Sequence, residues 1–340
     1  MTSPVRTPRA APDGRSPAGP ATDQESLLRI RDLTVTYGLR SRHPVRAVAG
    51  VSLDVRSGRT LALIGESGSG KSSIARAVCG LVPVESGTIT MDGHDLTAAA
   101  DRPAAAGQRG IQIVFQDPVS ALDPRWSVWR SVAEPLTRHV ASAEDRRERA
   151  MVLLERVGLD RSFGERHPHQ LSGGQRQRVT IARVLAPAPK LVILDEAVSA
   201  LDVSVRNEIL ALLDDLKRQE GLTYLLISHD MGAVVQMATD VAVMYLGKVV
   251  ESGPAARVIR EPAHPYTDAL LASVPTVSGD VVDPSFRPRG EIGDTAHPPA
   301  GCRYHPRCPL AIERCAAEEP LLRVVRDRLT ACHRAEELGP

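Results

Sequence analysis

Two rhythms organise the apolar positions along this chain. Residues 28–37, with Leu28, Ile30, Leu33, Val35 and Tyr37, predict a strand. Residues 51–55 alternate apolar and polar side chains, as a half-buried strand does. Residues 59–64 form an almost continuous apolar run, the pattern of a strand buried on both faces. A helix is expected over 74–81, and short strands over 87–91 and 111–115. Helices follow over 144–157, where Met151, Leu154 and Val157 share a face, and from about 172 to 185. Apolar runs at 191–194 and 224–227 flank a segment in which Val205, Ile209, Leu212, Leu213 and Leu216 recur at helical spacing. That β–α–β order implies parallel strands covered by helices. A hairpin over 241–246 and 249–251 turns at Gly247, and beyond Gly253 proline rises and periodicity weakens. The expected domains are a disordered tail over 1–25, a main α/β domain over 26–253 and an extension over 254–340.

Composition removes several function classes. The net charge of +1 gives no basic footprint for nucleic acid. No apolar run approaches the roughly 20 residues of a membrane-spanning helix, so any membrane role needs a separate spanning partner. The Pro-, Ala-, Gly- and Arg-rich N-terminus lacks the apolar stretch of a secretory signal. Disulfides are therefore a poor default for Cys302, Cys308, Cys315 and Cys332, which cluster in the extension, and a metal or cluster site is the better one. Cys79 reads as a small buried apolar residue.

The sharpest chemical signal is Gly65-Glu66-Ser67-Gly68-Ser69-Gly70-Lys71-Ser72, followed by Ser73. It sits between a buried strand and a helix, the context a phosphate-binding loop needs. Its glycines let backbone N–H groups point at phosphate oxygens, and the helix N-terminus adds partial positive charge. Lys71 is expected to reach the β- and γ-phosphates of ATP, and Ser72 to ligate Mg²⁺. The run Leu191-Val192-Ile193-Leu194-Asp195-Glu196 places two carboxylates at a strand's C-terminal end, where open α/β sheets bind ligands. Asp195 is suited to hold Mg²⁺ and Glu196 to polarise the attacking water.

A third motif narrows the class. Leu171-Ser172-Gly173-Gly174-Gln175 opens a helix and resembles the signature of ATP-binding-cassette proteins. The resemblance implies a P-loop core with a parallel sheet, an antiparallel β subdomain, a helical signature subdomain and a C-terminal extension. It implies that Ser172, Gly173, Gly174 and Gln175 act across a head-to-tail dimer on the partner's ATP. Gln116 resembles the loop glutamine that contacts Mg²⁺, Asp202 in Ser199-Ala200-Leu201-Asp202 the residue coupling the two sites, and His229 the switch histidine beside Glu196. Tyr37 stands where the family stacks an aromatic ring on adenine.

A single cassette with no coiled-coil insertion and no basic patch fits neither DNA-repair nor translation members. Ala197-Val198 after Glu196, together with His264-Pro265-Tyr266-Thr267 and Gly301-Cys302-Arg303-Tyr304-His305-Pro306-Arg307-Cys308-Pro309, resembles the oligopeptide/dipeptide importer ATPases. That implies two membrane-spanning permease subunits, a sister or identical second ATPase, an extracytoplasmic solute-binding protein, and a peripheral place on the cytoplasmic face of the membrane. Nickel or glutathione import, and a stand-alone regulatory ATPase, are the alternatives. Some relatives carry a [4Fe–4S] cluster where the four cysteines lie; zinc and free thiols are the other readings.

Overall fold

A computed structural model describes residues 26–39, 43–97, 110–117, 121–138, 140–272 and 293–338. The expected N-terminal tail lies outside them. The antiparallel sheet consists of β1 (Ser26–Tyr37), β2 (Val45–Arg56), β4 (Ser86–Met91) and β5 (His94–Asp95), in the order β2-β1-β4-β5. The larger sheet is parallel at its centre. There β6 (Ile111–Val114), β7 (Leu191–Asp195), β8 (Thr223–Ile227), β3 (Thr60–Ile64) and β9 (Asp240–Tyr245) lie side by side.

Strands β3, β7 and β8 are buried along their whole length because the sheet is covered on both faces. Their side chains alternate between two cores. Leu61, Leu63, Leu191, Ile193, Leu225 and Ile227 pack toward the antiparallel sheet and α1 (Lys71–Val78). Ala62, Ile64, Val192, Leu194, Tyr224 and Leu226 pack toward the opposite face, with the helical segments α2 (Val128–Ala133), α3 (Ala143–Arg156), α4 (Gly173–Leu185) and α5 (Val203–Glu220). The helix expected over 144–157 buries Met151 and Leu154, with Val157 just past its end, and adds Ala150 and Leu153. A short α6 (Met231–Met237), not anticipated from the sequence, follows β8.

The extension is built into this sheet rather than appended to it. After β10 (Lys248–Pro254), α7 (Ala255–Arg260) and α8 (Pro265–Ala272), the hairpin β11 (Arg323–Val325) and β12 (Arg328–Thr330) pairs with β10. Short α9 (Glu313–Ala317) precedes the hairpin. Glu251 on β10 is fully buried and accepts from the backbone N–H groups of Ala263, at 2.9 Å, and His264, at 3.1 Å. Arg328 on β12, equally buried, brings its Nε within 3.7 Å of the same carboxylate. Burial raises the Glu251 pKa, while these donors and Arg328 oppose the rise.

His264 is the acid-sensitive element of this junction. Its Nδ1 accepts from Tyr266 N at 3.0 Å, a role only the neutral ring can fill, and burial depresses its pKa from 6.5 to about 3. The unfolded chain therefore binds a proton that the folded chain refuses. This contribution to stability is complete above pH 6.5 and is lost progressively as pH falls toward about 3. Glu251, with its raised pKa, acts in the opposite sense as pH rises above its ordinary value. Comparing urea unfolding of the native chain with a His264→Asn variant at pH 7 and pH 5 should isolate the histidine. The variant's acid slope should be shallower, by at most about 1.4 kcal/mol per pH unit; identical slopes would refute the assignment.

Candidate active site

The loop between β3 and α1 is shaped by what cannot fit. A Cβ on Gly65 would lie 2.2 Å from the Met244 carbonyl oxygen, and one on Gly70 would lie 2.2 Å from that of Ala47. Both glycines also hold positive φ, at 147° and 104°. Neighbouring strands thus press against the loop from outside and turn its interior toward the cleft. That cleft, about 320 Å³, is lined by Ser67, Gly68, Gly70, Lys71, Ser72, Ser73 and Glu196, with Val45, Ala47 and Thr295 on its walls.

Lys71 folds back into the loop and donates to the carbonyls of Gly65 at 2.7 Å and Glu66 at 2.8 Å, and to Ser69 Oγ at 3.2 Å. Burial lowers its pKa, against the fields of Glu196, Asp195 and Glu66. Ser72 Oγ donates to Asp195 Oδ1 at 2.9 Å, so the hydroxyl and the carboxylate expected to share a magnesium ion are already adjacent. Burial raises the Asp195 pKa, and the nearby Glu196 charge adds to that rise while Ser72, Arg76 and Lys71 oppose it. A divalent cation here would remove the like-charge conflict.

Glu196 follows β7 with φ of 52°, a left-handed conformation unusual for a non-glycine residue. Its N–H donates to Ile227 O on β8 at 2.9 Å, and its carbonyl accepts from Ser199 N at 3.1 Å. This turn aims the side chain into the cleft, where Oε1 lies 3.3 Å from Nδ1 of the largely exposed His229. Such local strain concentrates at functional positions.

The other expected residues stand outside this cleft lining. Tyr37, at the end of β1, is exposed and donates its hydroxyl to Ser73 Oγ at 3.2 Å. Gln116 is exposed two residues past β6. Asp202 caps α5: its Oδ1 accepts from Val205 N at 3.0 Å, and that bond leads the downward shift of its pKa. Ser172 and Gln175 form a reciprocal capping box at the start of α4, with bonds of 3.3 and 3.0 Å. Ser172 and Gly173 face solvent, while Gly174 is held small by Val205, whose Cγ1 would lie 2.5 Å from an added Cβ. Sequence reasoning gave no site role to Thr295, Tyr266 or Arg307, although the last two stand in the motifs that resemble the importer ATPases. Thr295 approaches Gly68 O at 3.4 Å, Tyr266 Oη accepts from Glu66 N at 2.8 Å, and Arg307 pairs with the Glu66 carboxylate at 2.8 Å. Nothing local in the chain pairs these residues with a loop more than 190 residues earlier.

Cys302, Cys308, Cys315 and Cys332 converge on one closed cavity of about 10 Å³ and are all free thiols. Burial pushes Cys302 up to about 11 and Cys332 up to about 12, with smaller upward contributions from neighbouring cysteines. Among the described residues no three His, Cys, Asp or Glu are grouped to hold a metal ion. A zinc ion bonded at about 2.3 Å needs its sulfurs drawn tightly together, whereas a cluster spaces its four thiolates more widely. Cys79 is buried in the core, and its thiol is held up at about 12 by that burial, with the Asp195 charge adding to it.

A phosphate loop, paired carboxylates at the strand ends and a Ser-Gly-Gly helix start define a P-loop ATPase of the cassette kind. An ABC transporter profile matches residues 48–199, and a profile for the oligopeptide/dipeptide transporter C-terminal region matches 250–315. The Di/tripeptide transport ATP-binding protein DppF of Pseudomonas aeruginosa is 43% identical over 319 residues, covering 92% of this chain and 99% of that relative. The Oligopeptide transport ATP-binding protein AppF of Bacillus subtilis is 40% identical over 324 residues, covering 92% and 98%. Among solved structures, the ADP- and Pi-bound dimer of the cassette MJ0796 superimposes with a TM-score of 0.60 at 28% identity, covering 67% of this chain and 98% of that one. The chain belongs to the ATP-binding-cassette transporter ATPases that carry the oligopeptide/dipeptide C-terminal region, and it is an ATP hydrolase using ATP and Mg²⁺.

The glycine contacts rank two loop substitutions. Gly70→Ala drives a Cβ into the Ala47 carbonyl, whereas Gly68→Ala meets no atom within 4 Å and suffers only its positive φ. The second costs about 1–2 kcal/mol of backbone strain. Fluorescent-nucleotide titration should find ATP affinity reduced by more than about tenfold in Gly70→Ala and by a smaller factor in Gly68→Ala. The reverse ranking would refute this account of the loop.

Proposed function

We propose that this ATPase powers uptake of oligopeptides or dipeptides through a membrane importer, working as one half of a head-to-tail pair of cassettes. The observation that carries the pairing is the position of the signature. Ser172 and Gly173 present a helix N-terminus to solvent, outside the lining of this chain's own phosphate cleft. An anion site so placed serves a γ-phosphate held by another cassette. The C-terminal match and the peptide-transport relatives, matched over nearly their whole length, support the cargo class.

In this mechanism Lys71 leaves the Gly65 and Glu66 carbonyls for the β- and γ-phosphates, and backbone N–H groups of the loop hold the rest. Ser72 and Asp195, already hydrogen-bonded to each other, would hold Mg²⁺ together with Gln116. Glu196 orients and deprotonates the attacking water while His229 holds that carboxylate in place and touches the γ-phosphate. Tyr37 stacks on adenine. Ser172, Gly173, Gly174 and Gln175 complete the partner's site, and Asp202 couples the two. The partners are two permease subunits, a sister or identical ATPase, and an extracytoplasmic solute-binding protein. The subunit works as a peripheral protein at the cytoplasmic face of the membrane; no helix among the described residues is long and apolar enough to cross it. A groove of about 290 Å³ framed by Trp126, Trp129 and Ala133 offers apolar surface to a permease segment. For the four cysteines, which line one cavity, the reading is a [4Fe–4S] cluster, because four thiolates suit it and their spacing in the chain lacks the close C-x₂₋₄-C pairs usual for zinc. Such a cluster would hold the extension together.

Glu196→Gln should keep ATP binding, lower hydrolysis at least about a hundredfold and accumulate a nucleotide-bound dimer in light scattering. Normal turnover would overturn the base assignment. Reconstituted with the membrane subunits and binding protein of a peptide importer, the ATPase should be stimulated by peptides. Stimulation by nickel or glutathione alone would replace the cargo, and indifference to all three would favour a stand-alone regulatory ATPase. Protein purified anaerobically should carry about four iron atoms and a broad visible absorbance. Stoichiometric zinc, or neither metal, would reject the cluster.

A further inference from the structure

The first half of the phosphate loop is held by the C-terminal extension. Glu66, a variable position of the loop motif, has all its polar groups engaged. Its carbonyl accepts from Lys71, its N–H donates to Tyr266 Oη at 2.8 Å, and its carboxylate receives both arms of Arg307 at 2.8 and 3.1 Å. This two-pronged pairing fixes orientation as well as distance. The guanidinium is 8% exposed and the carboxylate 23%, so solvent screens the pair weakly.

Arg307 is itself held by aromatic rings. Tyr245, Tyr266 and Tyr304 pack with ring centroids 4.6 to 5.3 Å apart, and the Arg307 guanidinium lies 5.9 Å from two of these rings. Among the described residues the guanidinium bonds only to Glu66 and, at 3.4 Å, to Tyr245 Oη. Tyr304 and Arg307 both lie between Cys302 and Cys308. Thr295, from the same extension, reaches the cleft wall beside Gly68.

We propose that the extension is a working part of the nucleotide site. Arg307 acts as a positioning residue that sets the phosphate loop through Glu66, so that the conformation of the cysteine-bearing segment tunes ATP affinity. The loop's N–H groups must be aligned before phosphate arrives, and a loop released from Arg307 samples orientations that bind it less well. The chemical step is assigned to Glu196, which has no hydrogen bond or ion pair to Glu66 or Arg307 among the described residues, and is left nearly intact. Loss of the clamp therefore appears in KM rather than kcat.

The test uses the full chain and four variants: Arg307→Met, Arg307→Lys, Glu66→Gln and the double Glu66→Gln/Arg307→Met. Steady-state hydrolysis and ATP titration are read beside thermal unfolding without nucleotide. Arg307→Met should raise the KM and Kd for ATP about tenfold with kcat within about twofold, and Arg307→Lys should recover part of the loss. Glu66→Gln should show a rise in KM, and the double variant should be no worse than Arg307→Met alone, because both changes break one interaction. An unchanged KM in a normally melting Arg307→Met protein would overturn the proposal, as would losses that multiply in the double variant. Should Arg307→Met fail to fold, Glu66→Gln decides alone: a raised KM supports the clamp and an unchanged KM refutes it.

Discussion

The close approach of two carbonyls to the phosphate loop is the constraint on which the rest of the molecule depends. Met244 on β9 and Ala47 on β2 come so near to Gly65 and Gly70 that no side chain could stand at either position. One carbonyl belongs to the parallel sheet and the other to the antiparallel sheet, so the loop is shaped where the two sheets meet. The loop has no core of its own and takes its shape from surrounding strands that are themselves fixed by burial. Lys71 sits in that mould as a place-holder, bonding to loop carbonyls until a phosphate competes for it. A buried ammonium is costly unless charge lies close by, and Glu196, Asp195 and Glu66 provide that charge.

The cassette was largely legible in the sequence because its determinants are local. A strand buried on both faces is apolar at successive positions, as Leu61–Ile64 are, and a tight turn demands glycine at fixed offsets. The helix over Ala143–Arg156 announced itself through spacing, with Ser142 capping it by accepting from Asp145 N at 3.2 Å. Helix α6, of seven residues, is too short to display a period, and β11 and β12, of three residues each, are shorter still. The strand expected over 51–55 begins earlier, at Val45, because pairing with β1 extends it through residues without clean alternation.

The active site divided along the same line. Candidate residues near the ends of buried strands could be read from their neighbours in the chain: Asp195, Glu196 and His229 come at or just after an apolar run, and Lys71 and Ser72 after the glycine loop that follows one. Residues that act from far away could not. Arg307 and Tyr266 stand in motifs that point to the family and say nothing of the phosphate loop; only the folded chain places them against Glu66. Hydrogen bonds between distant segments leave no periodic trace.

Glu251 carries a consequence for how this chain could be divided or recombined. Its carboxylate lies in the interior, and its partners (two backbone N–H groups beyond residue 262 and the guanidinium of Arg328) belong to the extension. Cutting the chain after β10 would not release a trimmed, self-sufficient engine. It would strip a strand edge of its neighbour and strand an acid in apolar surroundings. The two segments of this chain therefore share one sheet and one buried ion pair. A graft of this C-terminal region onto a foreign cassette would have to bring a matching acid at the 251 position with it.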